Sequence, residues 1–552
     1  MLARWVIDNE PSPTYPIYTR ANAGEVYPDP VSPLSGTLLF LGGSENGWRD
    51  AYCRYSMRPA EFDLSRTEII GCFGGYLYLN MSLTRIFGVR TPGMTPEVVD
   101  FQYFGEMPGI PPYEPGPGDV DEERSAALQG WLSEVFATDD LPGLRADRDE
   151  VEGIVAGRPD LDTLTDAELV ARMRSFIPVY RRLFDTHITV SAASGIGVGS
   201  VASVCQELSD PSLTMRLSAG LGDVDSAAPS WAMWELSRLE PASEAFEKGL
   251  AAFVDEFGAR GPNEWELRSP TWGTNPELVV AAVEQMRQAS PADAPQAHLD
   301  RYASDAGEQA AQVRAALRDT PEVLAQFDAG LRCARLFLAG RERSKTTIIK
   351  LVHEARLAAR ALGARHVEAG HLDAVGQVFM LKDDELDEFV TYPRAFTQLV
   401  REREQQYLAL FELEPPFIVV GTVPPLDEWP RRDAVVADVA HAGDVLTGIP
   451  GCPGRATGRA RVVLDPADPT ALEPGDVLVA PITDPAWTPL FVPAAAVVVD
   501  VGAQVSHAVI VSRELGIPCV VSVTSATRRV PDGALVEVDG TAGTVTLLGP
   551  RA

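Results

Sequence analysis

His507 lies in the run DVGAQVSHAVIVSRELGIPCV (500–520), where its type and setting suit one kind of chemistry. Imidazole is nucleophilic when neutral and is neutral near physiological pH, so it can take up and release a phosphoryl group. Ser506, immediately before it, is a good helix cap, and Gly516 closes the apolar-periodic run that follows, so the spacing predicts a helix opening at His507. The unpaired N–H groups and positive dipole end of that first turn favour an anion, which would stabilise a phosphorylated imidazole. Gly502, in the turn before the helix, and Arg513, further along it, join Ser506 as candidate phosphate-supporting residues. Taken alone, a histidine at a helix start is usually a cap or a surface residue. Its flanking sequence must carry the rest of the case.

A second concentration of chemistry is GRERSKTTIIK (340–350), which gathers Arg341, Arg343, Lys345 and Lys350 in an acidic chain. Arg341 and Lys345 are four residues apart and share a helix face. Such a pair can neutralise a transferring phosphoryl group and position an acceptor hydroxyl. The competing reading is a solvated face with Glu342 and Glu354 as ion-pair partners. Glu25 and Glu264 could orient an acceptor or act as a base; a structural role, holding a turn or pairing with an arginine, is the alternative for each. His187, His298, His353, His366, His371 and His441 have no ligand-like spacing and read as ordinary histidines, so no metal site is expected. GRERSKTT lacks the glycine a phosphate-binding loop places before its lysine. SGIGVGSV (194–201) imitates a dinucleotide fingerprint without a surrounding βαβ unit, so both are read as accidental.

The elements that must position these residues change character along the chain. Residues 1–110 are rich in Pro, Gly and aromatics and read as loops, short helices and a few strands. From about 120 to 412, apolar residues recur near i, i+3, i+4 and i+7, so this stretch is mostly α-helical. Thr165 with Glu168 forms one of its capping boxes. Residues 414–446 open on prolines and lose the helical period, reading as a linker between a first domain (1–413), mostly helical after 120, and a last domain (447–552). In that last domain RARVVL, DVLVAP, AAVVVD, CVVSV and LVEVDG are short β-rich runs around the His507 helix, a small β/α unit. The expected fold class is multidomain α/β.

At 552 residues the chain exceeds one hydrophobic core. It is 45% hydrophobic and 23% charged, and no uninterrupted run of 18 apolar residues suggests a membrane span. The N-terminus meets Asp8 and Glu10 too early for a signal peptide, so a cytoplasmic location is expected. A formal charge of −31 disfavours nucleic acid and anionic membranes as partners. Cys53, Cys72, Cys205, Cys333, Cys452 and Cys519 form no CxxC pair and read as reduced, packed thiols.

The whole last domain resembles the mobile phosphohistidine domain of the PEP-utilising enzymes, a family that includes PEP synthase, pyruvate phosphate dikinase and rifampin phosphotransferase. The resemblance rests on GIPGCPGRATGRARVV (448–463), LEPGDVLVAPITDPAWTPLF (472–491), the His507 segment and GALVEVDGTAGTVTLL (533–548). Val501, Ala503 and Val505 depart from the family pattern without removing the histidine. RANAGEVYPDPVSPL (20–34), RGPNEWELRSPTWGTNP (260–276) and LGARHVEAGHLDAVGQVFMLKDDEL (362–386) resemble the acceptor-binding part of rifampin phosphotransferases. There an Arg and a Lys spaced as in RERSK line the acceptor site. The resemblance implies a phosphohistidine at His507 that is loaded by ATP and swings to deliver its group to a hydroxyl of a small organic acceptor. It further implies a dikinase-type phosphotransferase whose ATP-grasp unit is a separate partner chain, as in phenylphosphate synthase, with Mg²⁺ acting mainly at the ATP site. Two other readings are a ligand-binding or regulatory homologue without transfer, and a relay protein that passes phosphate to another protein.

Overall fold

The computed structural model describes residues 4–104, 109–210, 213–218, 225, 227–287, 294–434, 438–464, 466, 472–483, 487–502 and 506–550. Ala503 and Val505 lie outside these residues, as does the side chain of His298. The architecture is multidomain α/β: a helical unit with a small antiparallel sheet, and a C-terminal unit built on a mixed sheet.

The scaffold of the helical unit is a pair of long helices, Ile177–Glu207 and Pro321–Glu368. Their backbones come close where Gly197 crosses Ala334. A Cβ on Gly197 would lie 2.5 Å from the Ala334 nitrogen, so this glycine of the SGIGVGSV run serves helix packing. The run Asp166–Glu207 contains the one stretch among the described residues that is long and apolar enough, by length and composition, to cross a bilayer. In the fold it packs through Tyr180, Leu183, Val190 and Ala193 into the protein core. The capping box at Thr165 forms as its sequence suggests, with the Glu168 carboxylate accepting from the Thr165 nitrogen at 2.7 Å.

Four short strands, β1 (Ile17–Thr19), β2 (Ile70–Phe73), β3 (Tyr76–Asn80) and β4 (Ile418–Val420), pair in the order β2-β3-β1-β4. β4 falls inside the stretch expected to be linker. It pairs antiparallel with β1, Tyr18 facing Val419, while Leu426 and Trp429 enter the core of the helical unit. Residues 414–434 therefore belong to the first unit. From Ala440 onward the chain is tied to the second unit, with the Ala440 nitrogen donating to Arg529 and the Gly443 nitrogen to Leu547, both at 2.8 Å. The connection is thus far shorter than 414–446, because its prolines mark turns around a paired strand and not a free spacer.

The C-terminal unit carries β5 (Val445–Thr447), β6 (Ile449–Cys452), β7 (Arg455–Val462), β8 (Val477–Ala480), β9 (Ala496–Val499), β10 (Cys519–Val521), β11 (Ala534–Asp539) and β12 (Thr544–Pro550). Their order is β5-β12-β11-β7-β8-β9-β10-β6, with β7 to β10 parallel and the flanking strands antiparallel. β8 and β9 read as continuous Val/Leu/Ala runs because both faces are buried.

Candidate active site

Parallel sheets gather functional groups in the crevice beyond the carboxyl ends of their strands. Here the segment after β8 supplies Thr483 and the segment after β9 supplies His507. The His507 helix runs from His507 to Leu515, its N-cap Ser506 accepting from the Val509 nitrogen, and Gly516 ends it with φ 66°. Thr483 Oγ1 lies 3.1 Å from Nδ1 of His507, and Thr488 Oγ1 lies 3.3 Å from Nε2. A threonine hydroxyl can donate to a ring lone pair or accept from a ring N–H. Whichever nitrogen carries a phosphoryl group, the other keeps an oriented partner. Phe491 stands edge-on to the ring at 6.0 Å.

The facing side of the site comes from the helical unit. On the long helix, Lys345 Nζ is 3.3 Å from Glu264 Oε1, and Arg341 reaches Glu342 at 3.1 Å. Glu264 and Arg260 sit on the loop before Trp272; Arg260 Nε donates to Glu264 Oε2 at 2.6 Å and its Nη1 to Thr346 at 3.0 Å. His187, on the partner helix, meets Ser344 through Nδ1 at 2.9 Å. The charges of Lys345, Glu342, Arg260 and Arg341 all act on His507. Its imidazole is held well below the usual histidine range, first by burial and then by Lys345. His187 is pushed down to about 3, first by burial and then by Arg341. Both rings are therefore neutral at pH 7, and for His507 neutrality is the nucleophilic state.

The loop bearing Arg260 and Glu264 is fixed from two sides. Arg356, fully buried on the long helix, donates to the carbonyls of Glu264 at 2.6 Å and Glu266 at 3.0 Å. The Glu266 carboxylate in turn accepts from Ser32 and Ser35, each at 2.6 Å. The short helix Pro33–Ser35 packs on the turn Val375–Met380, so parts of the three motif segments 20–34, 260–276 and 362–386 converge on one region.

The structure thus brings together His507, Arg341, Lys345 and Glu264. Gly502 is closely surrounded, since a Cβ there would lie 2.9 Å from Val521 Cβ and 3.2 Å from Ser506 Oγ. Arg513 departs from its expected phosphate-supporting place. It is buried, donates to the Gly451 carbonyl at 3.2 Å and neighbours Cys452 and Cys519, so it ties the His507 helix to β6. Glu25 lies on the short helix Ala23–Val26 beside β3, where its charge acts on the partly buried Tyr103. Thr483, Thr488 and Arg260 join the site without having been singled out from sequence, and so do His187, read there as an ordinary histidine, and Glu342, named there only as an ion-pair partner. The first three lie within family-like motifs, which was the available signal. His187 and Ser344 are 157 residues apart, and nothing in their spacing announces the pairing. Among the described residues, no group of three or more His, Cys, Asp or Glu is arranged to hold a metal ion.

Residues 472–543 match the family model of the PEP-utilising enzyme mobile domain. The C-terminal unit is a PEP-utilising enzyme mobile domain. Residues 187–342 match the fourth domain of rifampicin phosphotransferase, a span that opens at His187 and closes at Glu342. The chain is 32% identical over 318 residues to a rifampicin phosphotransferase of Streptomyces sviceus, covering 57% of this chain and 36% of that protein. It is 34% identical over 310 residues to an uncharacterized protein of Mycobacterium tuberculosis, covering 56% and 32%. With a prodigiosin synthesizing transferase of Serratia marcescens it shares 30% over 337 residues, covering 57% and 35%. The chain spans about a third of the length of these relatives. In the mobile domain, the matched span contains Thr483, Thr488 and His507 together.

Proposed function

We propose that the mobile domain carries a phosphoryl group on His507 and transfers it to a hydroxyl of a small organic acceptor held by the helical unit. What carries this reading is the meeting of His507, between Thr483 and Thr488, with the cations Lys345, Arg260 and Arg341 of the opposite unit. In the transfer, the acceptor oxygen bonds to phosphorus as the P–N bond breaks. The electron pair of that bond stays on the imidazole nitrogen, which ends with the hydroxyl's proton, so the ring returns neutral. Arg341 and Lys345 bind the moving group, and Glu264 holds Lys345 in register. The resemblance to PEP-utilising enzymes supports ATP as the source of the phosphoryl group through a separate ATP-grasp partner, giving AMP and phosphate, with Mg²⁺ acting at that ATP site.

The test is labelling with γ- and β-labelled ATP, with and without candidate ATP-grasp proteins. The expected label is acid-labile, depends on the partner and vanishes in His507→Ala. Arg341→Ala and Lys345→Ala should still take up label but pass it on at least about tenfold more slowly, the loss of one charge-assisted contact. Label that persists in His507→Ala, or that forms without a partner, would sink the respective half of the proposal.

A further inference from the structure

Arg260 has a buried charge whose hydrogen bonds are only partly accounted for. The residue is 2% exposed. Nε is taken by Glu264 and Nη1 by Thr346, while Nη2 is buried with no acceptor among the described residues. A guanidinium N–H left without an acceptor in a protein interior is costly and calls for an explanation. Glu264 divides its two oxygens between Arg260 and Lys345, so the two cations are held as one rigid unit by a shared carboxylate. The charges of Lys345, Arg260 and Arg341 disfavour the imidazolium of His507 and that of Glu342 opposes them, while Glu264 pairs with Arg260 and Lys345.

We propose that Arg260 is a further catalytic residue, which donates from Nη2 to an oxygen of the phosphoryl group as it leaves His507. This deepens the transfer reading above and rests on it. The planar guanidinium fork suits the task because the edge carrying Nε is fixed by Glu264, leaving a second donor preoriented at no further entropic cost. Lysine at this position could keep the pairing with Glu264, but its single ammonium could not also serve a phosphoryl oxygen with the same geometry. The loop that carries Arg260 is also placed to respond to docking: the Trp272 nitrogen donates to the Arg260 carbonyl at 2.8 Å, and the Trp272 ring packs in the apolar cluster shared with the mobile domain.

The experiment uses the full chain and orthovanadate, a mimic of pentacoordinate phosphorus, with binding followed by calorimetry. Arg260→Gln and Arg260→Lys should both weaken vanadate binding by about 10- to 100-fold, the range for losing a hydrogen bond to a charged group. Arg260→Lys should keep the thermal unfolding midpoint of the parent. If Arg260 only holds Glu264, Arg260→Lys will bind vanadate like the parent, and the proposal is overturned. A parent chain without measurable vanadate binding overturns it as well. Chemical phosphorylation of His507 by phosphoramidate, read by ³¹P NMR, separates the two levels. A parent that takes no phosphoryl group removes the underlying transfer reading. Normal labelling beside unchanged vanadate binding in both variants removes the role of Arg260 alone.

Discussion

The imidazole of His507 is kept neutral by burial and by the same cations that would bind its phosphoryl group in transfer. Burial disfavours the imidazolium, and the positive charges of Lys345, Arg260 and Arg341 add to that penalty. Because the folded-state pKa is depressed, the ring stays neutral as pH falls through the range in which a free histidine, with its usual pKa of about 6.5, becomes charged. The imidazole resonance of His507 in the full chain is therefore expected to stay fixed between pH 8 and about 5.5. Lys345→Met should move its titration up toward the usual value, and a normal titration in the parent would refute the electrostatic account. The linkage has the same sign for His187: the unfolded chain gains a proton that the folded chain refuses. The contribution to stability is complete above the unfolded pKa and declines as pH falls through it. At this scale the sequence was informative where the chemistry is local. Ser506, His507 and Gly516 form a cap, a first turn and a stop within eleven residues, and each follows from residue type. Arg513 misled because helix position alone does not say which way a long side chain turns; here it turns to Gly451.

Among the elements, the helical periods between 120 and 412 were legible because amphipathic helices write their packing face into consecutive residues. β4 was not legible. Three residues among prolines carry no period, and what makes them a strand is β1, some 400 residues earlier in the chain. The eight-stranded sheet of the mobile domain depends on similarly tight, non-local contacts. β6 and β10 pair with Cys452 opposite Cys519 directly beneath the His507 helix, and the turn between β11 and β12 presses against them. A Cβ on Gly540 would lie 1.9 Å from the Cys452 carbonyl oxygen and 2.9 Å from the Cys519 nitrogen. Neither neighbour is a flexible side-chain end, so the backbone itself would have to move. Gly540→Ala should therefore destabilise the mobile domain by about 3 kcal/mol, at the upper end of overpacking costs. Urea unfolding with a probe in this domain would show the loss, and an unchanged midpoint would mean that the turn relaxes freely.

In the whole molecule, the mobile domain rests on the helical unit through an apolar surface. Trp234, Phe253, Trp272 and Val283 of the helical unit form one cluster with Trp487, Leu490, Phe491 and Val511 of the mobile domain. Near the connection, Arg528 of the mobile domain pairs with Glu414 of the helical unit at 2.8 Å. An interface of this kind favours the arrangement in which His507 faces Lys345. A carrier that is loaded at one site and unloaded at another must also leave it. The helical unit's final turn ends at Ala434 and Ala440 is hydrogen-bonded to the mobile domain, so the mobile domain is expected to swing as a body relative to the helical unit. Tethering the docked arrangement tests this without weakening any catalytic group. With cysteines at positions 414 and 528, Glu414→Cys and Arg528→Cys, a flexible bis-maleimide would span the former ion pair. The cross-linked protein, phosphorylated on His507 beforehand by phosphoramidate, should still discharge to an acceptor. Reloading from ATP and an ATP-grasp partner should fall by at least about 100-fold, because that step requires the domain to depart. Reductive cleavage of an otherwise identical disulfide-containing cross-linker should restore reloading. A tethered protein that reloads at the untethered rate would mean that His507 meets its donor without leaving the helical unit, and the swing would have to be abandoned.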